Sequence, residues 1–232
     1  MKFNKIMRNL IRRFGYEISR IGRIDPLESL IIKNHHKNYF FIQIGANDGK
    51  RFDPIFDIVN GLKLKGIALE PVKEYFSELE RNYQSLPNVK LVNKAIYSRN
   101  GEISIFRARK DNAFPDWVNG IASLDPEHYR KSGVKKDDVI EEVVSCITFE
   151  KLISDFGISH IDLLQIDTEG FDYEIIKMID FNLTKPVIIH FEHGLPHNVM
   201  SVEQFKECVG ILIDNGYRIV MKKYDCIAYL AS

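Results

Sequence analysis

The sequence has little cysteine, no long apolar run and no excess of charge of either sign. No two of its three cysteines have the short spacing of a zinc ligand pair, so neither a disulfide framework nor a structural zinc site is expected. No apolar stretch approaches the ~20 residues that span a bilayer, and charges interrupt the N-terminal stretch too often for a secretory signal peptide. The 32 basic and 32 acidic residues cancel, which disfavours nucleic-acid binding through an overall positive field. We therefore expect a cytoplasmic globular protein without a nucleic-acid partner.

The amino-terminal segment carries a local excess of positive charge. Residues 1–23 contain seven lysines and arginines and a single acid, Glu17. Six apolar residues fall at the spacing of one helical stripe: Phe3, Ile6, Met7, Leu10, Ile11 and Phe14. We predict a basic amphipathic helix here, followed by a helical lead-in up to residue 36. Through residues 1–20 it packs on its own domain, contacts another subunit or partner, or lies on the inner face of the membrane, and the sequence leaves these alternatives open.

From residue 37 to residue 232, apolar strands alternate with helical patterns, which predicts a single α/β domain built around a parallel sheet. The predicted strands are residues 38–44, 66–69, 89–92, 102–106, 142–146, 161–166 and 187–191. The predicted helices are residues 53–62, 72–83, 149–156, 173–178 and 202–215. Two last strands, residues 217–221 and 226–230, are joined by a short turn and predict an antiparallel hairpin.

Residues 107–140 interrupt this alternation with a long polar stretch. The stretch contains Pro115, Gly120 and the only tryptophan, Trp117. A loop of this length in a compact domain is usually a lid or a binding loop, or it is disordered. We interpret residues 107–140 as an insert that covers the acceptor side of a ligand site. Trp117 either anchors this insert or stacks on a substrate.

A glycine-bearing loop follows the first predicted strand. It consists of Gly45, Ala46, Asn47, Asp48 and Gly49, and glycine at such a place permits a tight turn and close approach of the backbone to a ligand. A dinucleotide loop would have glycine in place of Asn47, and the carboxylate of Asp48 would repel a pyrophosphate. The same carboxylate would attract an amino or sulfonium group. The loop therefore favours a cationic nucleoside such as S-adenosylmethionine.

Further candidate cofactor contacts follow the second and third predicted strands. Glu70 stands about where an acid accepts hydrogen bonds from ribose hydroxyls in nucleotide-binding sheets, although it could also serve only as a charge near the start of the next helix. Pro71 follows it directly. Ala95 and Ile96 come after the third strand and could flank an adenine ring. We predict that these four residues contact the cofactor.

Acidic and histidine residues follow two neighbouring strands later in the chain. A carboxylate that ends a buried strand, such as Asp167, is poorly placed unless it has a function, although Asp167 and Glu169 could also cap the next helix. Histidine suits proton transfer near neutral pH; His193 lies just past its strand, whereas His190 within the strand is expected to be structural. Asp167, Glu169 and His193 are therefore the predicted catalytic residues. The same groups could hold a divalent metal ion, but no metal site is predicted.

Four blocks of sequence together resemble the FkbM-type family of S-adenosylmethionine-dependent methyltransferases. They are the loop from Gly45 to Gly49, the pair Glu70-Pro71, the block Asn93-Lys-Ala-Ile96 and the block Ile161-Asp-Leu-Leu-Gln-Ile-Asp-Thr-Glu-Gly170. The resemblance runs in order over residues 40–230 and leaves the basic helix outside it. It implies a class I methyltransferase (Rossmann-like) fold: a seven-stranded, mostly parallel sheet with an antiparallel C-terminal hairpin strand and helices on both faces. It also implies methyl transfer mostly to oxygen.

The leading hypothesis is an S-adenosylmethionine-dependent O-methyltransferase. Its acceptor would be a hydroxyl of a sugar, a glycan or another small natural product. Two alternatives stay open. One is a nicotinamide-dependent oxidoreductase on the same type of sheet, and the other is a non-catalytic module that uses the basic helix to bind a membrane or a partner.

Overall fold

A computed structural model of the chain describes residues 25–109, 114–115, 118–128, 130 and 133–231. The predicted amphipathic helix over residues 1–20 and Trp117 lie outside the described residues. Within these ranges, no helix is both long and apolar enough to cross a membrane.

Strands and helices alternate along the described chain, as the sequence predicts. The strands are β1 (Phe40–Ile44), β2 (Lys65–Leu69), β3 (Val89–Val92), β4 (Ala95–Ile96), β5 (Gly101–Ala108), β6 (Ala122–Ser123), β7 (Val139–Ile147), β8 (Leu163–Ile166), β9 (Ile188–Glu192), β10 (Tyr217–Met221) and β11 (Asp225–Leu230). The helices are α1 (Pro26–Asn34), α2 (Phe56–Leu62), α3 (Lys73–Tyr83), α4 (Phe149–Asp155), α5 (Asp172–Met178) and α6 (Val202–Asp214). Three short 3-10 turns cover Val118–Gly120, Lys136–Asp138 and Leu195–His197.

Three of the helices begin at side chains that satisfy free backbone N–H groups. The side chain of Asp25 accepts a hydrogen bond from the backbone N–H of Leu27 at the start of α1. The side chain of Thr148 accepts one from the backbone N–H of Lys151 at the start of α4. Ser201 and Gln204 form a capping box at the start of α6. Such caps stabilise a helix by about 1 kcal/mol each, so the sequence itself defines where these helices begin.

The main sheet has seven strands in the order β10-β11-β9-β8-β1-β2-β3. The five strands β9, β8, β1, β2 and β3 run parallel to one another. β11 lies between β9 and β10 and is antiparallel to both. This is the predicted class I methyltransferase fold, with the antiparallel C-terminal hairpin strand in its expected place.

Successive residues of the central strands point to opposite faces of the main sheet, and each face is covered by three helices. One row across β1, β8 and β9 packs in the core beneath α1, α2 and α3: Phe41, Leu163 and Ile188. The next row packs in the core beneath α4, α5 and α6: Ile42, Leu164 and Ile189. Because both faces are buried, these strands are apolar runs interrupted by few polar residues, which is why the sequence identifies them.

A second, four-stranded sheet has the order β4-β7-β5-β6. β5 and β7 pair antiparallel from Gly101 opposite Cys146 to Ala108 opposite Val139, so both strands extend beyond the predicted residues 102–106 and 142–146. β6 also lies within residues 107–140, where the sequence analysis expected only a loop. Ile103, Ile105 and Val144 bury one face of this sheet, and that burial favours the longer hairpin.

Three polar side chains form a buried row across the main sheet: Gln43 on β1, Gln165 on β8 and His190 on β9 are neighbours in register. Nδ1 of His190 lies 2.5 Å from Oε1 of Gln165, and Nε2 of His190 has no partner among the described residues. Burial, with the nearby positive charge of Lys222, lowers the pKa of His190 to about 3. His190 is therefore a structural residue, as the sequence analysis expected.

The low pKa of His190 predicts that this residue makes the folded protein less stable in acid. Below an ordinary pKa of 6.5 the unfolded chain binds a proton that the folded protein excludes, so stability falls as the pH falls. As the pH falls from about 6.5 to about 5, we expect His190 to lower the free energy of unfolding by about 1 kcal/mol per pH unit. Urea denaturation at several pH values measures this free energy. His190→Gln keeps a polar neighbour for Gln165 but cannot titrate, so its stability should depend less on pH. Equal pH dependence in the two proteins would contradict this assignment.

Candidate active site

A cavity of about 350 Å³ opens at the carboxyl ends of the parallel strands. This is the edge at which open α/β sheets bind ligands. Nine of the predicted site residues line it: Gly45, Ala46, Asn47, Glu70, Pro71, Ala95, Ile96, Asp167 and Glu169. Three others, Asp48, Gly49 and His193, are not among the lining residues. The second sheet and the segment that follows β5 form the opposite wall.

Gly45 occupies a position that only glycine can take. Its backbone has a φ of 79°, and a Cβ atom there would lie 1.8 Å from the backbone oxygen of Asp167. The backbone N–H groups of Gly45 and Ala46 both donate to the carbonyl of Leu69, at 3.0 and 2.8 Å. The loop after β1 is therefore held tightly between the ends of β2 and β8.

Asp48 and Gly49 belong to the loop but not to the cavity wall. The Asp48 carboxylate accepts hydrogen bonds from the backbone N–H groups of Lys50 and Arg51, at 2.9 and 2.8 Å, and pairs with the Arg51 side chain. A Cβ atom on Gly49 would lie 2.3 Å from Leu79 of α3. Asp48 thus closes the loop and Gly49 lets α3 pack against it, and the expectation that these two residues contact the cofactor stays a prediction.

Glu70 connects the loop after β1 to the end of β2. Its Oε2 accepts a hydrogen bond from the backbone N–H of Asn47 and its Oε1 from that of Val72, each at 2.8 Å. Burial raises the pKa of Glu70 to about 7, although these hydrogen bonds oppose the shift. Each carboxylate oxygen can accept more than one hydrogen bond, so Glu70 can still accept one from a ligand in the cavity.

Pro71, Ala95 and Ile96 contribute apolar side chains to the wall. Ala95 and Ile96 form β4, which pairs with Cys146 and Ile147 of β7. The second sheet thus holds Ala95 and Ile96, two of the predicted cofactor contacts, beside Glu70. An apolar wall next to an acid is the arrangement that the sequence analysis expected for an adenine ring beside a ribose.

Asp167 and Glu169 meet Glu192, which ends β9, in an acidic cluster at the cavity wall. One carboxylate oxygen from each of the three residues lies within 4.8 Å of the others. Burial, and then the negative charges of Glu169 and Glu192, raise the pKa of Asp167 well above its usual range. Burial and the same kind of repulsion raise the pKa of Glu192 to about 9. The cluster can therefore take up protons near neutral pH, and its spacing is compatible with the divalent ion that the sequence left open.

Asp172 stabilises the backbone that carries this cluster. It is fully buried, and its Oδ2 accepts hydrogen bonds from the backbone N–H and the hydroxyl of Thr168, at 3.0 and 2.5 Å. Its Oδ1 accepts one from the backbone N–H of Glu192 at 3.1 Å. Asp172 thereby connects the ends of β8 and β9. The sequence analysis missed it, although an acid in the first turn of a helix directly after Asp167 and Glu169 was the available signal.

His193 does not line this cavity. Its ring is fully buried, its Nδ1 accepts a hydrogen bond from the backbone N–H of Leu195 at 3.2 Å, and its Nε2 lies 3.3 Å from the carbonyl oxygen of Lys222. The ring also packs on Phe205 of α6, with 4.8 Å between centroids. These contacts are those of a structural residue, and the catalytic role of His193 stays a prediction. Glu192, one residue earlier, is the side chain that reaches the cavity.

A sequence profile described as the methyltransferase FkbM domain matches residues 43–219. The chain belongs to the FkbM methyltransferase family. The match begins within β1 and ends within β10, so it contains the glycine loop, Glu70 and the whole acidic cluster. No curated protein sequence matches the chain.

Solved structures align with this FkbM methyltransferase, and of the three described here one reaches a TM-score of 0.50. The FkbM methyltransferase of Methylobacillus flagellatus KT aligns with 83% of this chain and 43% of its own, at a TM-score of 0.50 and 11% identity. The precorrin-6y C5,15-methyltransferase of Geobacter metallireducens GS-15 aligns with 92% of this chain and 93% of its own, at a TM-score of 0.45 and 14% identity. Fibrillarin of Aeropyrum pernix, solved with natively bound S-adenosyl-L-methionine, aligns with 84% and 66%, at a TM-score of 0.43 and 9% identity. At such identities the similarity concerns the fold alone.

The insert of this FkbM methyltransferase contributes a histidine that the sequence analysis missed. His128 lines the cavity, its side chain is only 5% exposed, and its Nε2 lies 3.4 Å from Oε2 of Glu169. The insert is tied to both parts of the site, because Asn47 donates a side-chain hydrogen bond to the carbonyl of Gly120 and Ser123 donates one to the carbonyl of Glu169. Nothing in the local sequence signals that His128 meets a residue so far along the chain.

The tight contact of Gly45 predicts a large cost for a single methyl group. Gly45→Ala combines left-handed backbone strain with a collision against the Asp167 carbonyl, and we expect it to lower the free energy of unfolding by about 3 kcal/mol. Gly157→Ala is the matched control, since Gly157 has a φ of 59° but nothing within 4 Å of its would-be Cβ; strain alone should cost it about 1 kcal/mol. Urea denaturation measures both. Equal losses would contradict the close approach at Gly45.

Proposed function

We propose that this FkbM methyltransferase transfers a methyl group from S-adenosylmethionine to a hydroxyl of a small molecule, namely a sugar, a glycan unit or another natural product. The observation that supports the proposal most is that one cavity joins the glycine loop and Glu70 to a cluster of carboxylates, of which Asp167 and Glu192 have raised pKa values. The first group suits a nucleoside donor and the second suits removal of a proton.

The residues near the glycine loop fit the donor. Gly45 has no side chain, so the loop after β1 can lie directly against the end of β8, and Gly45, Ala46 and Asn47 line the cavity. Gln43 lines the cavity, and its Oε1 is buried without a partner among the described residues. This oxygen is therefore free to accept a hydrogen bond from a ligand. Glu70 would accept hydrogen bonds from the ribose, while Ala95 and Ile96 would flank the adenine.

When bound, S-adenosylmethionine supplies an electrophilic methyl group on a positively charged sulfur. The chain's own task is to place the acceptor hydroxyl and to take its proton. Asp167 and Glu192 are the candidate proton acceptors in their ionised forms, because the burial that raises their pKa values makes these carboxylates stronger bases than ordinary ones. Glu169, beside His128, would orient the hydroxyl.

The described part of the insert would cover the acceptor. Gly120, Ile121, Ala122 and Leu124 line the cavity together with His128. They close the side opposite the strand ends, so a ligand seated on the acidic cluster would lie beneath them. Shielding from water would strengthen the interaction of the carboxylates with the hydroxyl.

The two alternative functions are not equally supported. The family match favours methyl transfer over a nicotinamide-dependent oxidoreductase. Binding of a membrane or partner through residues 1–20 stays a separate proposal, because these residues lie outside the described ranges, and it is compatible with methyl transfer by the domain.

Glu70→Gln tests the donor site. The variant removes the charge that accepts hydrogen bonds from the loop and from the proposed ribose, so we expect its affinity for S-adenosylhomocysteine to fall about 10-fold or more, measured by titration calorimetry. Glu203→Gln, at an exposed position in α6, should bind like the wild type.

Two results would count against the donor assignment. One is the absence of S-adenosylhomocysteine binding by the wild-type protein, and the other is unchanged affinity in a folded Glu70→Gln variant. Fluorescence enhancement of NADH on mixing with the wild type would favour the oxidoreductase instead.

A further inference from the structure

A second cluster of chemically active side chains lies at the edge of the main sheet opposite the cavity. His36 precedes β1, and His160 and Asp162 precede β8, so all three stand at the amino ends of parallel strands. Nε2 of His36 and Nε2 of His160 each lie 2.9 Å from the same oxygen, Oδ1 of Asp162. The proposed methyl transfer uses none of these residues.

Asp162 is held rigidly in this cluster. Its side chain is 2% exposed, and its Oδ2 accepts a hydrogen bond from the backbone N–H of Phe40 at 2.8 Å. Its own backbone N–H donates to the carbonyl of Phe40, and its carbonyl accepts from Ile188. The carboxylate therefore presents a fixed Oδ1 toward the surface, as a preorganised ligand should.

The two imidazoles are accessible, whereas the carboxylate between them is not. The side chains of His36 and His160 are 47% and 53% exposed. Among the described residues, no lysine or arginine forms an ion pair with Asp162, and the two histidines are its only side-chain partners. A buried negative charge whose only side-chain partners are imidazoles, open to solvent on one side, is a suitable place for a cation to bind from solution.

We propose that His36, His160 and Asp162 bind a divalent transition-metal ion, for which zinc is the natural probe. One ligand atom from each residue lies within 4.8 Å of the others. Ligands about 2.1 Å from a tetrahedral ion stand about 3.4 Å apart, so the observed 2.9 Å separations need to widen by only about 0.5 Å. Two imidazoles and a carboxylate suit zinc, cobalt or nickel better than magnesium or calcium. Water would complete the coordination.

Binding would require one adjustment at His36. Its Nδ1 now accepts a hydrogen bond from the backbone N–H of Asn38 at 3.2 Å, which places the ring proton on Nε2. A metal at Nε2 moves that proton to Nδ1 and gives up this hydrogen bond. Asn38 is exposed, so water can replace the lost partner at little cost. The ion would connect the segment after α1 to the start of β8, and its effect would be on stability.

Thermal unfolding with and without zinc chloride tests the proposal. Because the ion binds the folded state, we expect the Tm of the wild type to rise by about 5 °C at a zinc concentration of about 100 times the Kd. His36→Gln and His160→Gln should each lose most of this rise. His35→Gln is the matched control, since His35 is adjacent in sequence and outside the cluster, and it should keep the full rise.

Cobalt absorption provides a second readout that does not depend on stability. Wild-type protein and His35→Gln should give visible cobalt bands with one ion bound per chain, and His36→Gln and His160→Gln should not. The proposal is overturned if zinc leaves the Tm of the wild type unchanged or lowers it, or if His36→Gln and His160→Gln keep the zinc-dependent rise. All these measurements are made without S-adenosylmethionine, so they are independent of the proposed methyl transfer.

Discussion

The ends of β1 and β8 lie so close together that no side chain fits between Gly45 and the backbone oxygen of Asp167. This contact places the glycine loop directly beside the first carboxylate of the acidic cluster. A donor seated on the loop would therefore already be next to the groups that can take a proton from an acceptor. The rest of the site is arranged around this contact, with Glu70 on the β2 side and Glu192 on the β9 side.

Two buried carboxylates stabilise the strand ends on either side of that contact. Glu70 accepts backbone hydrogen bonds from the loop after β1 and from Val72, whereas Asp172 accepts them from Thr168 and Glu192. Hydrogen bonds to a buried charge are worth more than those between neutral groups. Acids at the same edge of the sheet thus have different positions: Asp172 supports the backbone, Asp167 lines the cavity, and Glu70 does both.

The sequence predicts the main sheet well but not every side-chain direction. Strands such as Val89–Val92 and Tyr217–Met221 agree with prediction to the residue, because buried apolar runs bounded by turns are unambiguous. β4 and β6 have two residues each, too few to form a pattern, so the second sheet was missed. Asp48 and His193 do not line the cavity, and sequence position alone does not show whether a loop carboxylate turns back on its own backbone or a ring packs on a helix.

The central claim is that the donor lies on the glycine loop, between the ends of β1, β2 and β4. Hydrogen exchange measured by mass spectrometry, with and without saturating S-adenosylhomocysteine, tests this most directly. We expect slower exchange in peptides that cover residues 44–49, 70–72 and 94–97, and no change in peptides at the opposite edge, residues 34–39 and 158–162. Protection confined to the opposite edge, or unchanged exchange at the glycine loop under saturation, would contradict the account.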